Sequence, residues 1–210
     1  MRLCGNGGIA VTAPVRSFKR LCIFCGSSHG ANPVYAEAAK IAGSELARRG
    51  IGLVYGGGNV GLMGVIADAA LAAGGNVIGV IPEALMAKEV GHRGLPDLRV
   101  VKTMHERKAL MAELADGFVA LPGGIGTFEE FFEIVTWAQL GLHAKPCALL
   151  NVNGFYDPLL RLIDHAIDEQ FIKPTQRDHI IVESDFSRLM DRMASHHVPH
   201  EPKWIGKETI

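Results

Sequence analysis

The sequence predicts an α/β fold, a doubly wound parallel sheet flanked by helices in a single domain. Three observations carry that reading. Seven short apolar runs with strand character recur along the chain, helix-like segments separate most of them, and glycine- or serine-rich turns stand directly after several of the runs. Strands that alternate with helices imply parallel pairing, because a parallel connection needs a long crossover that a helix fills.

The strands are expected at 21–26, 51–55, 76–81, 98–101, 117–121, 146–152 and 179–182. The first helix spans 33–49: Pro33 suits a first-turn position, alanine is abundant, and Gly50 ends it. The second, 61–73, stops at Gly74-Gly75. A third, 104–114, follows the fourth strand and carries His105, Glu106, Arg107 and Lys108 in its opening turn. The fourth, 127–140, follows a glycine-rich turn after the fifth strand, and the fifth, 157–170, follows the sixth strand. No internal repeat, low-complexity tract or linker breaks the pattern. The domain is read as 19–193, with a loose N-terminal extension at 1–18 and a C-terminal tail at 194–210.

Composition narrows the class. At 210 residues, 48% hydrophobic and 20% charged, the chain is long enough to bury one sizeable core. A formal net charge of -1 and the lack of a basic stripe give no reason to expect a nucleic-acid partner. No apolar stretch reaches membrane-spanning length without Gly, Pro or charge, and the first residues lack a signal peptide's apolar core. A cytoplasmic protein with no membrane partner is expected. Cys4, Cys22, Cys25 and Cys147 show no framework spacing, and Cys22-x-x-Cys25 lies inside a strand-like run, so reduced thiols are expected rather than a redox or zinc pair. His196, His197 and His200 sit among Ser195, Pro199 and Pro202 with no carboxylate or cysteine at fixed spacing. They read as an exposed, mobile tail, and no metal is expected.

Ligands of such sheets bind beyond the carboxyl ends of the strands, where the strand order reverses. The loops there are Gly26-Ser27-Ser28-His29-Gly30, residues 56–64, Pro82-Glu83, 103–108 and 122–127. The most informative run is Leu121-Pro122-Gly123-Gly124-Ile125-Gly126-Thr127-Phe128-Glu129-Glu130. Gly-Gly-x-Gly lets backbone N–H groups approach an anion, the following helix N-terminus favours negative charge, and Thr127 adds a hydroxyl donor. Glu129, Glu130 and Glu133 fall in the first helical turns, where carboxylates ordinarily complement the dipole. Beside a bound phosphate they would be repelled unless they faced another part of the ligand, so one of them is expected to have a chemical task. Phe128, Phe131, Phe132 and Val135 read as core.

Gly58-x-x-Gly61-x-x-Gly64 does not have the dinucleotide spacing, and no acidic residue ends the next strand to hold a ribose. NAD is therefore disfavoured, and the missing Gly-Lys-Ser/Thr ending excludes an NTP-hydrolysing P-loop. The glycine density fits a mononucleotide or sugar phosphate better than packing alone. Arg107 and Lys108 open a helix, where the dipole disfavours cations, which points to an anionic ligand. Ser27 and Ser28 are candidates for ribose or phosphate contacts, and His29 and His105 for polar ones.

Residues 122–130 resemble the PGGxGTxxE signature of the LONELY GUY (LOG) family, the cytokinin riboside 5′-monophosphate phosphoribohydrolases. Cys25-Gly26-Ser27-Ser28, residues 55–64, Met104-His105-Glu106-Arg107-Lys108 and residues 136–141 are similar to further stretches of that family, and the likeness covers about 19–190. The resemblance implies a Rossmann-like fold, a homodimer, no cofactor, and Arg107 with Glu130 as the catalytic pair. With the loops above it makes Ser27, Gly57, Gly58, Met104, Lys108, Gly123, Gly124, Gly126 and Thr127 the expected substrate-binding residues. It further implies cleavage of an N6-prenylated adenosine 5′-monophosphate to base and ribose 5-phosphate. Plain AMP as the substrate, or a nucleotide carrier without activity, are the alternatives. Many relatives bear a lysine decarboxylase label. That chemistry needs pyridoxal phosphate on a Schiff-base lysine, and Lys102, Lys108 and Lys145 have no such setting in the sequence.

Overall fold

The computed structural model describes residues 16–86 and 91–197; Cys4, His200 and residues 1–15 of the expected extension lie outside the described residues. Among the described residues there are seven strands: β1 (Arg20–Phe24), β2 (Gly52–Tyr55), β3 (Val77–Pro82), β4 (Asp97–Val101), β5 (Phe118–Ala120), β6 (Cys147–Leu150) and β7 (Ile180–Glu183). They form one Rossmann-like sheet in the order β4-β3-β2-β1-β5-β6-β7, with every neighbouring pair parallel. The chain starts at the middle, walks to the β4 edge, and returns to build the other half from β5. The reversal lies between β1 and β5, where Cys22 pairs with Phe118 and Phe24 with Ala120.

Among the described residues eight α-helices flank the sheet: α1 (Val34–Arg48), α2 (Gly61–Ala72), α3 (Glu83–Met86), α4 (Met104–Leu114), α5 (Ile125–Gln139), α6 (Asp157–Asp168), α7 (Pro174–Arg177) and α8 (Phe186–Ser195). Alternation along β1 sends Leu21 and Ile23 into a core shared with α1, α2 and α8, and Cys22 and Phe24 into a core shared with α4, α5 and α6. Burial on both faces is why these strands read as near-continuous apolar runs. Cys22, Cys25 and Cys147 are free, buried thiols whose pKa values burial pushes well up. Among the described residues no helix is long and apolar enough to cross a membrane.

Several features differ from the sequence reading. α5 starts at Ile125 rather than 127, with Gly124 as its N-cap. α8 was not anticipated and runs to Ser195, two residues past the expected domain boundary. Its apolar stripe Phe186, Leu189, Met190 and Met193 follows the helical period, and the Asp185 side chain caps it by accepting from the Arg188 N–H. Residues 16–18 of the expected extension are tied down: the Arg16 N–H donates to the Ala194 carbonyl at 2.8 Å, and Phe18 packs on the core. His196, read as part of an exposed tail, is half-buried.

Candidate active site

The loops after β1 and β5 are stitched together at the switch point. The Leu121 N–H donates to the Phe24 carbonyl at 2.9 Å and the Gly26 N–H to the Pro122 carbonyl at 3.1 Å. The Leu62 N–H donates to the Gly26 carbonyl at 3.0 Å, which brings the start of α2 to the same edge. A Cβ on Gly123 would stand 2.1 Å from Thr127 Oγ1 and 2.8 Å from the Gly26 nitrogen, so packing requires glycine there. Gly124 and Gly126 are different. No atom lies within 4 Å of where their Cβ would be, and Gly124 has a φ of -97°. Nothing in the chain itself demands glycine at these two positions. They present bare backbone to open space at the N-terminus of α5, which has no side-chain cap. Alongside is a cleft of about 280 Å³ lined by residues 26–30, Tyr35, Leu62, Pro122, Gly123, Gly124 and Phe155.

The second component is a buried ion pair. Arg107, from α4, places Nη1 2.7 Å from Glu130 Oε1, from α5, with both side chains about nine-tenths buried. The Arg107 Nε–H donates to the Val80 carbonyl, within β3, at 3.2 Å. Gly56, just past β2, makes room for the guanidinium, since a Cβ there would lie 2.1 Å from Nη2. The sequence reading placed Gly56 in a glycine-rich loop but gave it no role in the site. Burial is the main influence on Glu130 and pushes its carboxyl up; Arg107 opposes this, Glu129 adds to it, and the net shift is upward from the ordinary value.

The acidic first turn expected from the sequence is corrected here. Because α5 begins at Ile125, its first turn holds no acidic residue, and Glu129 and Glu130 sit in the second. The helix dipole acts mainly on the first turn, so it does not explain these carboxylates.

The other expected site residues are distributed as follows. Ser27 and His29 are exposed at the cleft, and Thr127 is buried behind the glycine turn. Gly57 has a φ of +71° and backs onto Ile81 and Leu98, its carbonyl accepting from the His92 N–H at 2.8 Å, while Gly58 bridges to Gly91. Met104 is 43% exposed at the start of α4. Lys108 is held by two carboxylates, Glu129 at 2.6 Å and Glu133 at 2.9 Å. Among the described residues no group of three or more His, Cys, Asp or Glu is arranged to hold a metal ion.

The sequence profile of a family described as "Possible lysine decarboxylase" matches residues 63–193. The chain is 49% identical over 192 residues to cytokinin riboside 5′-monophosphate phosphoribohydrolase LOG1 of Arabidopsis thaliana, covering 91% of this chain and 90% of that one. It is 55% identical over 168 residues to the cytokinin riboside 5′-monophosphate phosphoribohydrolase of Rhodococcoides fascians, covering 80% and 85%. The molybdenum cofactor binding protein of Rippkaea orientalis matches in structure with a TM-score of 0.62 at 22% identity, covering 82% of this chain and 93% of that one, and shares the fold. The residues do not fit the pyridoxal cofactor that the profile's description implies. Lys108 is tied up in two ion pairs, Lys145 donates to the Ala112 carbonyl, Lys102 is exposed, and none of the three lines the glycine-turn cleft. The identities over nearly the whole chain and the profile match together show that this chain belongs to the LOG family of cytokinin riboside 5′-monophosphate phosphoribohydrolases.

Proposed function

We propose that the chain hydrolyses the N-glycosidic bond of an N6-prenylated adenosine 5′-monophosphate, releasing the free base and ribose 5-phosphate. The observation that carries this reading is the buried Arg107–Glu130 pair, whose carboxylate sits on the helix that opens with the uncapped glycine turn. From Gly124 to Glu130 is six residues, about 9 Å along the axis. One helix thus offers an anion site and then a carboxylate, the order in which a nucleoside monophosphate presents phosphate and ribose.

The bare amides at Gly124 and Gly126 and the Thr127 hydroxyl hold the 5′-phosphate. Binding of that remote group fixes the ribose for attack. As the C1′–N9 bond breaks, its electron pair leaves with the base and positive charge develops on the ribose. The Glu130 carboxylate stabilises that charge and takes a proton from the water whose oxygen bonds to C1′, and that proton passes to the departing base, which leaves neutral and returns Glu130 to its charged form. Arg107 opposes the burial that disfavours charge on Glu130. The family resemblance supports a homodimer, and the three buried free thiols support a reducing, cytoplasmic setting.

The test is to incubate the protein with isopentenyladenosine 5′-monophosphate, AMP and the unphosphorylated riboside and to separate released base by chromatography. Base from the monophosphates alone, lost by about 10²–10⁴-fold in Glu130→Gln, is the expected result. AMP binding without release of base from any of the three would instead mark a nucleotide carrier.

A further inference from the structure

Lys108 follows Arg107 on α4, and its ammonium reaches Glu129 Oε1 at 2.6 Å and Glu133 Oε1 at 2.9 Å. Both carboxylates flank Glu130 on α5, Glu129 as its chain neighbour and Glu133 three residues on, along one face. Two consecutive cations of one helix therefore meet three carboxylates of another. The Lys108 side chain is 10% exposed, as deeply set as the pair it adjoins. Glu133 Oε2 is buried and has no hydrogen-bond partner, which leaves Lys108 as the donor that compensates this carboxylate. An ammonium already held by two carboxylates is a poor phosphate ligand, because its charge is more than balanced before any substrate arrives.

We propose that Lys108 is a positioning residue for Glu130: by gripping Glu129 and Glu133 it fixes α5 against α4 so that Glu130 meets Arg107, and it offsets the two negative charges beside Glu130. This rests on the reading of Glu130 as the carboxylate that acts on the ribose. The groups around Glu130 are Arg107 and Lys108 from α4, Glu129 and Glu133 from α5, and the thiols of Cys22 and Cys25 from β1. The thiols stay neutral, since burial drives both well up. Two cations therefore stand against two further carboxylates, and losing Lys108 leaves one against two. Charge on Glu130 is then disfavoured, and more alkaline conditions are needed to ionise it.

The experiment is kcat and KM against pH for release of base from isopentenyladenosine 5′-monophosphate. The proteins compared are wild type, Lys108→Met, Lys108→Arg and the triple variant Lys108→Met/Glu129→Gln/Glu133→Gln, with thermal unfolding of each. In Lys108→Met the acid limb of kcat should rise by about 1 pH unit. That lowers kcat about tenfold on the acid side while KM changes little. Lys108→Arg should keep the limb at its wild-type position, and the triple variant, in which Arg107 faces no further carboxylate, should bring it down to that position or below. If Lys108→Met does not fold, Glu129→Gln/Glu133→Gln decides, because two cations then face Glu130 alone and the limb should fall. A raised KM for the monophosphate with an unmoved limb, or a triple variant whose limb stays raised, overturns the proposal and makes Lys108 a substrate ligand or a packing residue. Retained turnover in Glu130→Gln alone would instead overturn the reading of Glu130.

Discussion

Gly126 is the second residue of α5 and has open space where a side chain would begin. Alanine there is a better helix former, so Gly126→Ala should raise stability by about 0.5 kcal/mol in thermal unfolding. The same methyl group would occupy the face on which the 5′-phosphate rests, so KM for the monophosphate should increase. A variant that gains stability and keeps its KM would show that the bare backbone serves no ligand. Glu130 gives a second prediction at this scale. Its folded pKa lies above the ordinary carboxylate value, chiefly through burial, and turnover needs the charged form. Activity should therefore fall as pH drops through a limb placed above the ordinary carboxylate value, as a kcat–pH profile will show. Which of the three neighbouring carboxylates meets Arg107 was not legible in the sequence itself. Residue spacing lets Glu133 neighbour either Glu129 or Glu130, though not both equally, and only the seating of α5 against α4 assigns Glu130 to Arg107 and the other two to Lys108.

Among the elements, the strands were legible because burial on both faces makes them continuous apolar runs. The start of α5 was misplaced because Gly123, Gly124 and Gly126 read together as a turn that ends before Thr127. In the structure Gly124 is the N-cap, in an extended conformation, and Thr127 lies inside the first helical turn, with only 4% of its surface exposed. α3 and α7 have four residues each, too few for a helical period to show. α8 carried a legible signal in its stripe and its Asp185 cap, but Ser187, Arg188, Asp191 and Arg192 make the segment look polar when the period is not traced. Its contribution can be measured. Leu189 is fully buried, so Leu189→Ala should cost about 2–5 kcal/mol in urea unfolding. A loss well under 1 kcal/mol would mean that α8 is not part of the cooperative core.

For the molecule as a whole, the sequence supported a doubly wound sheet but not the order of its strands, because pairing partners depend on contacts far apart in the chain. β1 joins β5 across roughly a hundred residues, as in Cys22 with Phe118. That order determines how the active pair is assembled. Arg107 arrives on the helix after β4, at the outer edge of one half, and Glu130 on the helix after β5, the first strand of the other. Neither half holds both members of the pair. During refolding from denaturant, helices form from local contacts while the β1–β5 seam must await long-range closure. Recovery of base release should therefore trail recovery of far-UV ellipticity, and equal rates for the two signals would refute that order. Turnover in this protein then acts as a clock for the docking of its two halves, started by a chemistry that neither half possesses.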